Sequence, residues 1–132
     1  MALLVPDVSE VILLETMLNK TAATNVKLKL YINDRTPAEG DNVGSYTEST
    51  GAGYAAVTLT GASWTVATNG TTTAEYAQQT FTYTGVEANI YGYYVTNNSG
   101  AQVLWAERFT DGPYSIPAGG GSVKITPEIE LA

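Results

Sequence analysis

The chain has 132 residues, a length that suits one domain with one hydrophobic core. Only 14% of its residues are charged, and its formal net charge is −7, without any run of Lys or Arg. Such an acidic chain repels phosphate groups, so neither nucleic acids nor anionic membrane surfaces are expected partners.

The sequence contains no His and no Cys. This composition excludes imidazole bases, thiolate nucleophiles, disulfides, and zinc sites built from His or Cys. We therefore expect a protein without enzymatic activity and without a cofactor.

The first elements in chain order are a predicted amphipathic helix over residues 6–19 and the apolar residues that precede it. Pro6 suits the first turn of a helix, and Asp7 favours the positive end of its dipole. Apolar residues then recur at helical spacing: Val8, Val11, Ile12, Leu14 and Leu18. Acidic residues interrupt this stretch and no basic residues precede it, so it is not expected to be a signal peptide or a bilayer-spanning helix.

The rest of the chain predicts strands. Residues 26–32 alternate between apolar and polar side chains, as a half-buried strand does. The polar residues 33–50 predict a long loop, and long loops often carry binding surfaces. Asn69-Gly70 is a strong hairpin signal, whereas residues 74–79 have a helical pattern. Further strands are predicted over residues 54–60, 63–67, 79–84, 90–96, 101–109 and 123–131, and Pro127 places the last strand at a sheet edge.

Short strands separated by turn residues, with no helices between them, predict a mainly β fold. We expect an antiparallel β-sandwich, jelly-roll-like, with a short N-terminal helix. Residues 1–20 would form the helical segment and residues 21–132 the β-sandwich domain.

Acidic residues offer two candidate chemistries. Glycoside hydrolysis needs two carboxyl groups about 5–10 Å apart, and the candidates are Glu75, Glu87, Glu107 and Asp111. Solvated surface carboxylates are far more common, so catalysis is not expected. A group of oxygen ligands in the long loop could bind Ca²⁺, but its spacing does not match an EF-hand and turn capping explains it better. That group is Asp34, Glu39, Asp41 and Asn42.

Aromatic residues could form a platform for a sugar ring. The candidates are Trp64, Trp105, Tyr91, Tyr93 and Tyr94. Val103 is the same-face neighbour of Trp105 in a strand, which favours burial of that ring. A core role is the favoured interpretation, and sugar binding is the main alternative.

Strings of residues along nearly the whole chain resemble a family of small virion proteins of tailed bacteriophages. They are ALLVPDVSE (2–10), LNKT (18–21), KLYIN (29–33), GYAAVTLTGASWTV (53–66), YGYYVT (91–96), LWAERF (104–109) and ITP (125–127). The resemblance implies a head-decorating or cement protein, although some similar small β-domains serve in tails or fibres. It brings no catalytic residue with it.

We therefore expect a non-enzymatic capsid decoration protein on the outer surface of the virion. Its partners would be the major capsid protein, whose lattice it would stabilise, and further copies of itself in a homotrimer. The alternative is a carbohydrate- or receptor-binding β-module of a phage tail or fibre. The apolar N-terminal segment would either cover a sheet face or form the protein interface, with residues 33–50 beside it. The predicted interface residues are Leu3, Leu4, Val5, Val8, Val11, Ile12 and Leu18.

Overall fold

A computed structural model of the chain describes residues 4–131. This part is mainly β, with antiparallel strand pairs arranged like a sandwich and one short helix, α1 (Asp7–Met17), near the N-terminus. The fold class predicted from the sequence is confirmed. The strands are β1 (Val26–Tyr31), β2 (Val57–Leu59), β3 (Trp64–Asn69), β4 (Thr71–Tyr76), β5 (Gln79–Tyr83), β6 (Glu87–Ile90), β7 (Gly92–Asn97), β8 (Val103–Arg108), β9 (Tyr114–Ile116), β10 (Gly121–Ile125) and β11 (Glu128–Leu131).

The central sheet has the strand order β2-β1-β7-β8. β1 alternates as predicted, and its Leu28 and Leu30 lie opposite Val95 and Tyr93 of β7. Strand β7 is buried on both faces from Gly92 to Thr96, which is why its sequence does not alternate between apolar and polar residues.

Hydrophobic clusters cover both faces of the central sheet. The larger one joins β1, β7 and β8 to the two-stranded sheets β10-β5 and β6-β9. The smaller one is built around Tyr31, Tyr46 and Tyr94, where the Tyr46 and Tyr94 rings stack with centroids 5.0 Å apart. Aromatic burial on this scale supplies much of the apolar area that a core needs.

The third small sheet has the order β11-β4-β3. The Asn69-Gly70 turn connects β3 and β4 as predicted. The helical pattern at residues 74–79 is a wrong prediction, because β4 continues to Tyr76 and β5 begins at Gln79. Pairing of β4 with both neighbours satisfies its backbone, and this outweighs the weak local helix preference.

Two other predicted strands differ in extent. Only Val57–Leu59 of the predicted strand 54–60 pairs in a sheet. The predicted strand 123–131 is two strands, β10 and β11, which belong to different sheets on either side of the buried Pro127. Pro127 cannot donate to a ladder, so the break falls there, and β11 is an edge strand as expected.

Residues 33–50 contain no long strand, as predicted, but they are firmly tied to the sheet. Ile32 N donates to Thr47 O at 2.9 Å, and Ser49 N donates to Leu30 O at 2.9 Å. Asn33 donates its side-chain amide to Ser45 O at 2.9 Å and accepts from Thr47 N at 2.8 Å. The loop is therefore a fixed surface beside the helix and not a free excursion.

Candidate interaction surface

Helix α1 is attached to the β-domain at its N-terminal end. Pro6 occupies the N-cap position, and Asp7 N donates to Glu39 O of the long loop at 3.2 Å. Just before the helix, Leu4 and Ala106 exchange two backbone hydrogen bonds of 3.1 and 3.0 Å, which extends the outer edge of β8. Within residues 4–131, no helix is long and apolar enough to cross a bilayer.

The helix faces the sheet with a polar residue. Ser9 is 5% exposed, and its Oγ donates to Val103 O of β8 at 2.6 Å. Val8 and Ile12 are half-buried beside it, and Val5 packs against the larger core cluster. A cleft of about 190 Å³ remains between the helix and the sheet, lined among others by Ile12, Leu13, Leu104, Trp105 and Ile129.

The opposite side of the helix is apolar and exposed. We call this set the outward face, and it consists of Val11, Leu14, Met17 and Leu18. These side chains are 56%, 57%, 74% and 69% exposed. Val11, Leu14 and Leu18 follow the i, i+3, i+7 spacing that puts side chains on one helix face. An ordinary surface helix turns this stripe to the core, whereas α1 leaves it uncovered.

The predicted interface residues therefore separate into two groups. Val11 and Leu18 lie on the outward face, whereas Leu4, Val5, Val8 and Ile12 are half-buried towards the β-domain. Leu3 lies outside the described residues. The sequence pattern marked Leu14 as apolar, but Met17 was not recognised as part of the exposed stripe. The local sequence pattern does not predict which side of the helix faces the sheet. That orientation depends on the bond from Ser9 to Val103, which joins residues 94 positions apart.

Of the acidic residues in the long loop, Asp41 forms a hydrogen-bonded anchor, whereas Asp34 pairs with Arg108 of β8. Asp41 is 3% exposed, pairs with Arg35, and accepts from Tyr46 Oη at 2.7 Å and Ala38 N at 3.0 Å. Burial alone would raise the pKa of Asp41, but the hydrogen bonds from Arg35, Tyr46 and Ala38 N outweigh it and hold the pKa below its usual value. Across residues 4–131 no three acidic side chains gather closely enough to hold a metal ion.

Three of the four carboxylates considered for catalysis, Glu87, Glu107 and Asp111, serve as hydrogen-bond acceptors, whereas Glu75 is exposed on β4. Glu87 accepts from Ser49 Oγ at 2.6 Å and from Gly51 N at 2.8 Å. Glu107 accepts from Tyr93 Oη at 2.8 Å. Both side chains fix neighbouring elements together, and each already has a partner in the fold.

The aromatic side chains form packing contacts. All thirteen Tyr, Trp and Phe residues lie within the described range, and each is buried or half-buried. Trp105 is 6% exposed, and burial raises the pKa of Tyr93. Trp64 is half-buried and makes edge contacts with Tyr76 and Trp105 at 5.1 and 6.0 Å between centroids. A sugar platform needs an open ring face, whereas each of these aromatic side chains is at least half-buried.

No family model, curated protein or solved structure matches this chain. Its class is thus defined by the architecture itself, an antiparallel, mainly β domain with one short helix on its edge. Within residues 4–131, the exposed apolar helix face is one feature of that architecture that no other part of the fold covers.

Proposed function

We propose that this chain is a non-enzymatic capsid decoration protein, which binds the major capsid protein lattice on the outer surface of a virion as a homotrimer. The observation that carries the proposal is the outward face of α1, with four large apolar side chains more than half exposed. An uncovered stripe of this kind marks a protein–protein contact. The resemblance of the sequence to small virion proteins points to the capsid as the partner.

The energetics of decoration suit a small apolar contact. Burying a Leu or Val contributes about 1.5–3 kcal/mol, from which the cost of association must be subtracted. A trimer engages several lattice sites at once, so modest contacts combine into high avidity. Since the binding site exists only in the assembled shell, the bound protein stabilises that shell by mass action.

A structural role also fits the polar groups of the chain. Without His or Cys, a nucleophile has no imidazole to activate it, and Glu87 and Glu107 are engaged in hydrogen bonds that hold the fold. The fixed loop next to the helix N-terminus, residues 33–50, widens the surface that can contact a partner. Its link to α1 is the bond from Asp7 N to Glu39 O at 3.2 Å.

The test uses heads that lack this protein and measures binding of added chain by co-sedimentation. The double variant Val11→Ser, Leu14→Ser removes about 3 kcal/mol of apolar burial, so the apparent Kd should rise roughly 100-fold. Val86→Ser is the matched control, because Val86 is 63% exposed but does not belong to the helix. Substitution is preferable to deletion of the N-terminal segment, since its Val5 and Ser9 also support the β-domain.

Full occupancy of the heads by the double variant would place the contact elsewhere on the chain. Failure of the unmodified chain to bind heads, with cryo-electron microscopy locating it on the tail, would overturn the decoration proposal.

A further inference from the structure

The β11-β4-β3 sheet has two different faces. Residues that lie opposite one another on neighbouring strands share a face of the sheet. The rows Val66–Ala74–Ile129 and Thr68–Thr72–Leu131 make one face largely apolar. The rows Thr65–Glu75–Glu128 and Ala67–Thr73–Glu130 make the other face polar and acidic. The apolar face packs on the core only near Trp64, Tyr76 and Ile129. Further out, Val66 is 67% exposed and Leu131 is 55% exposed.

The two edges of this sheet are also different. Within residues 4–131, β3 pairs only with β4 and β11 pairs only with β4, so each has a free edge. Strand β3, WTVATN, carries no charge, no Pro and no bulge, the devices that normally protect an edge from pairing. Strand β11, EIEL, carries Glu128 and Glu130. A free edge without protection is a template for an added strand.

We infer that β3 of one copy of this chain pairs with β11 of a second copy, and that this contact builds the homotrimer of the proposed function. The glutamates of β11 favour this arrangement over the pairing of two identical edges. Pairing of two β11 edges would bring glutamates together at the spacing of neighbouring strands, about 4.8 Å, where like charges are destabilising. Pairing of two β3 edges would leave β11 and Leu131 uncovered. The pairing of β3 with β11 places an uncharged strand beside an acidic one and uses both edges of every copy.

The apolar side chains support the same arrangement. Val66 and Leu131, the two large exposed hydrophobic residues of this sheet, sit on its two edge strands and on the same face. Joining β3 to β11 of the partner subunit continues that face from one copy to the next. Each contact therefore buries one exposed apolar residue from each side.

The direction of the new pair follows from the topology. β3 and β11 both run antiparallel to β4, so they run parallel to each other. When the sheet of one copy continues into the sheet of the next, β3 therefore pairs in parallel with β11 of the partner subunit. The rotation axis that relates the copies then runs along the strands. Such a head-to-tail contact closes into a ring when the copies are related by a three-fold axis, and the ring then holds three strands from each of three copies. The outward face of α1 then remains free for the capsid lattice.

Charge-swap variants of the full chain test this contact by sedimentation velocity and light scattering. Ala67 lies on the acidic face of β3, beside Glu128 or Glu130 of the partner subunit in the ring. Ala67→Glu should weaken each contact about threefold, and the trimer association constant should therefore fall at least tenfold over three contacts. Ala67→Lys is the matched control and should not weaken the trimer. Adding Glu130→Lys to Ala67→Glu should restore it, and circular dichroism should show an unchanged fold in every variant.

Equal weakening by Ala67→Glu and Ala67→Lys would overturn this arrangement in favour of two-fold pairing of β3 with β3. A monomeric unmodified chain, or a trimer indifferent to Ala67→Glu, would overturn it as well. Neither result depends on capsid binding, which the helix variants Val11→Ser and Leu14→Ser measure separately. A trimer that dissociates only in those helix variants would assign the subunit contact to α1 instead.

Discussion

Ser9 is the one residue of Asp7–Met17 that is buried, although the helix contains six large apolar side chains. Its hydroxyl satisfies the carbonyl of Val103 at the outer strand of the central sheet. This hydrogen bond helps to set which side of α1 meets the β-domain, together with the backbone bonds of Leu4 and Asp7 before it. The apolar residues of the outward face are left to solvent as a consequence.

Replacing Ser9 with Ala is expected to lower the free energy of unfolding by about 1–2 kcal/mol, because the carbonyl of Val103 loses its buried donor. Urea unfolding followed by tryptophan fluorescence measures the change. Ser115→Ala removes an exposed hydroxyl from β9 and should stay within about 0.5 kcal/mol. Equal effects of the two substitutions would show that the Ser9 bond contributes nothing to stability.

At the scale of elements, β7 depends on close approach of the backbone. A Cβ on Gly92 would meet the carbonyl oxygen of Glu107 in the next strand and would lie 2.6 Å from Tyr31 Oη. The neighbours on both sides belong to the central sheet, so they have little room to move. Only glycine fits between β1 and β8 at this position.

Gly92→Ala is therefore expected to destabilise the domain by about 1–3 kcal/mol, the usual cost of overpacking. The fall in thermal midpoint by circular dichroism is the measurement. Gly119→Ala is the control, since a Cβ there meets nothing within 4 Å. A Gly92→Ala protein as stable as the control would mean that β7 and β8 can separate without cost.

The sequence predicted those elements whose signals are local. The periodic helix, the alternating β1 and the Asn69-Gly70 turn all hold in the structure. The prediction for residues 74–79 is wrong because Ala, Glu and Gln favour helices. Pairing of β4 with β3 in the hairpin outweighs this local preference. The apolar character of the N-terminal segment was visible, but its orientation depends on a contact between Ser9 and a distant strand.

At the scale of the whole molecule, the tyrosines of the core make the stability of the fold depend on pH in the alkaline range. Burial raises the pKa of six of them, Tyr31, Tyr46, Tyr54, Tyr83, Tyr93 and Tyr94. Their neutral forms are favoured in the folded state, so their contribution to stability is complete below the unfolded pKa of about 10. It is lost as pH rises from there towards the higher folded values.

We expect the folded protein to lose stability steeply above about pH 10. Absorbance at 295 nm should show the buried phenolates appearing together with loss of the circular dichroism signal, in one cooperative step. The chain unfolded in urea should instead titrate smoothly near its ordinary tyrosine pKa. Smooth titration of all nine tyrosines with the fold intact would contradict this expectation.

The order of strands in the central sheet has a consequence for how the chain folds. β1 finds its long partner only in β7, where Val26 lies opposite Asn97, and Leu4 finds its partner in Ala106. Forming these pairings requires the closure of long loops, which costs chain entropy before the stabilising contacts are made. Folding is thus expected in milliseconds to seconds and not microseconds. During synthesis the first quarter of the chain must wait for β7 and β8 to emerge, with the apolar N-terminal segment exposed until then.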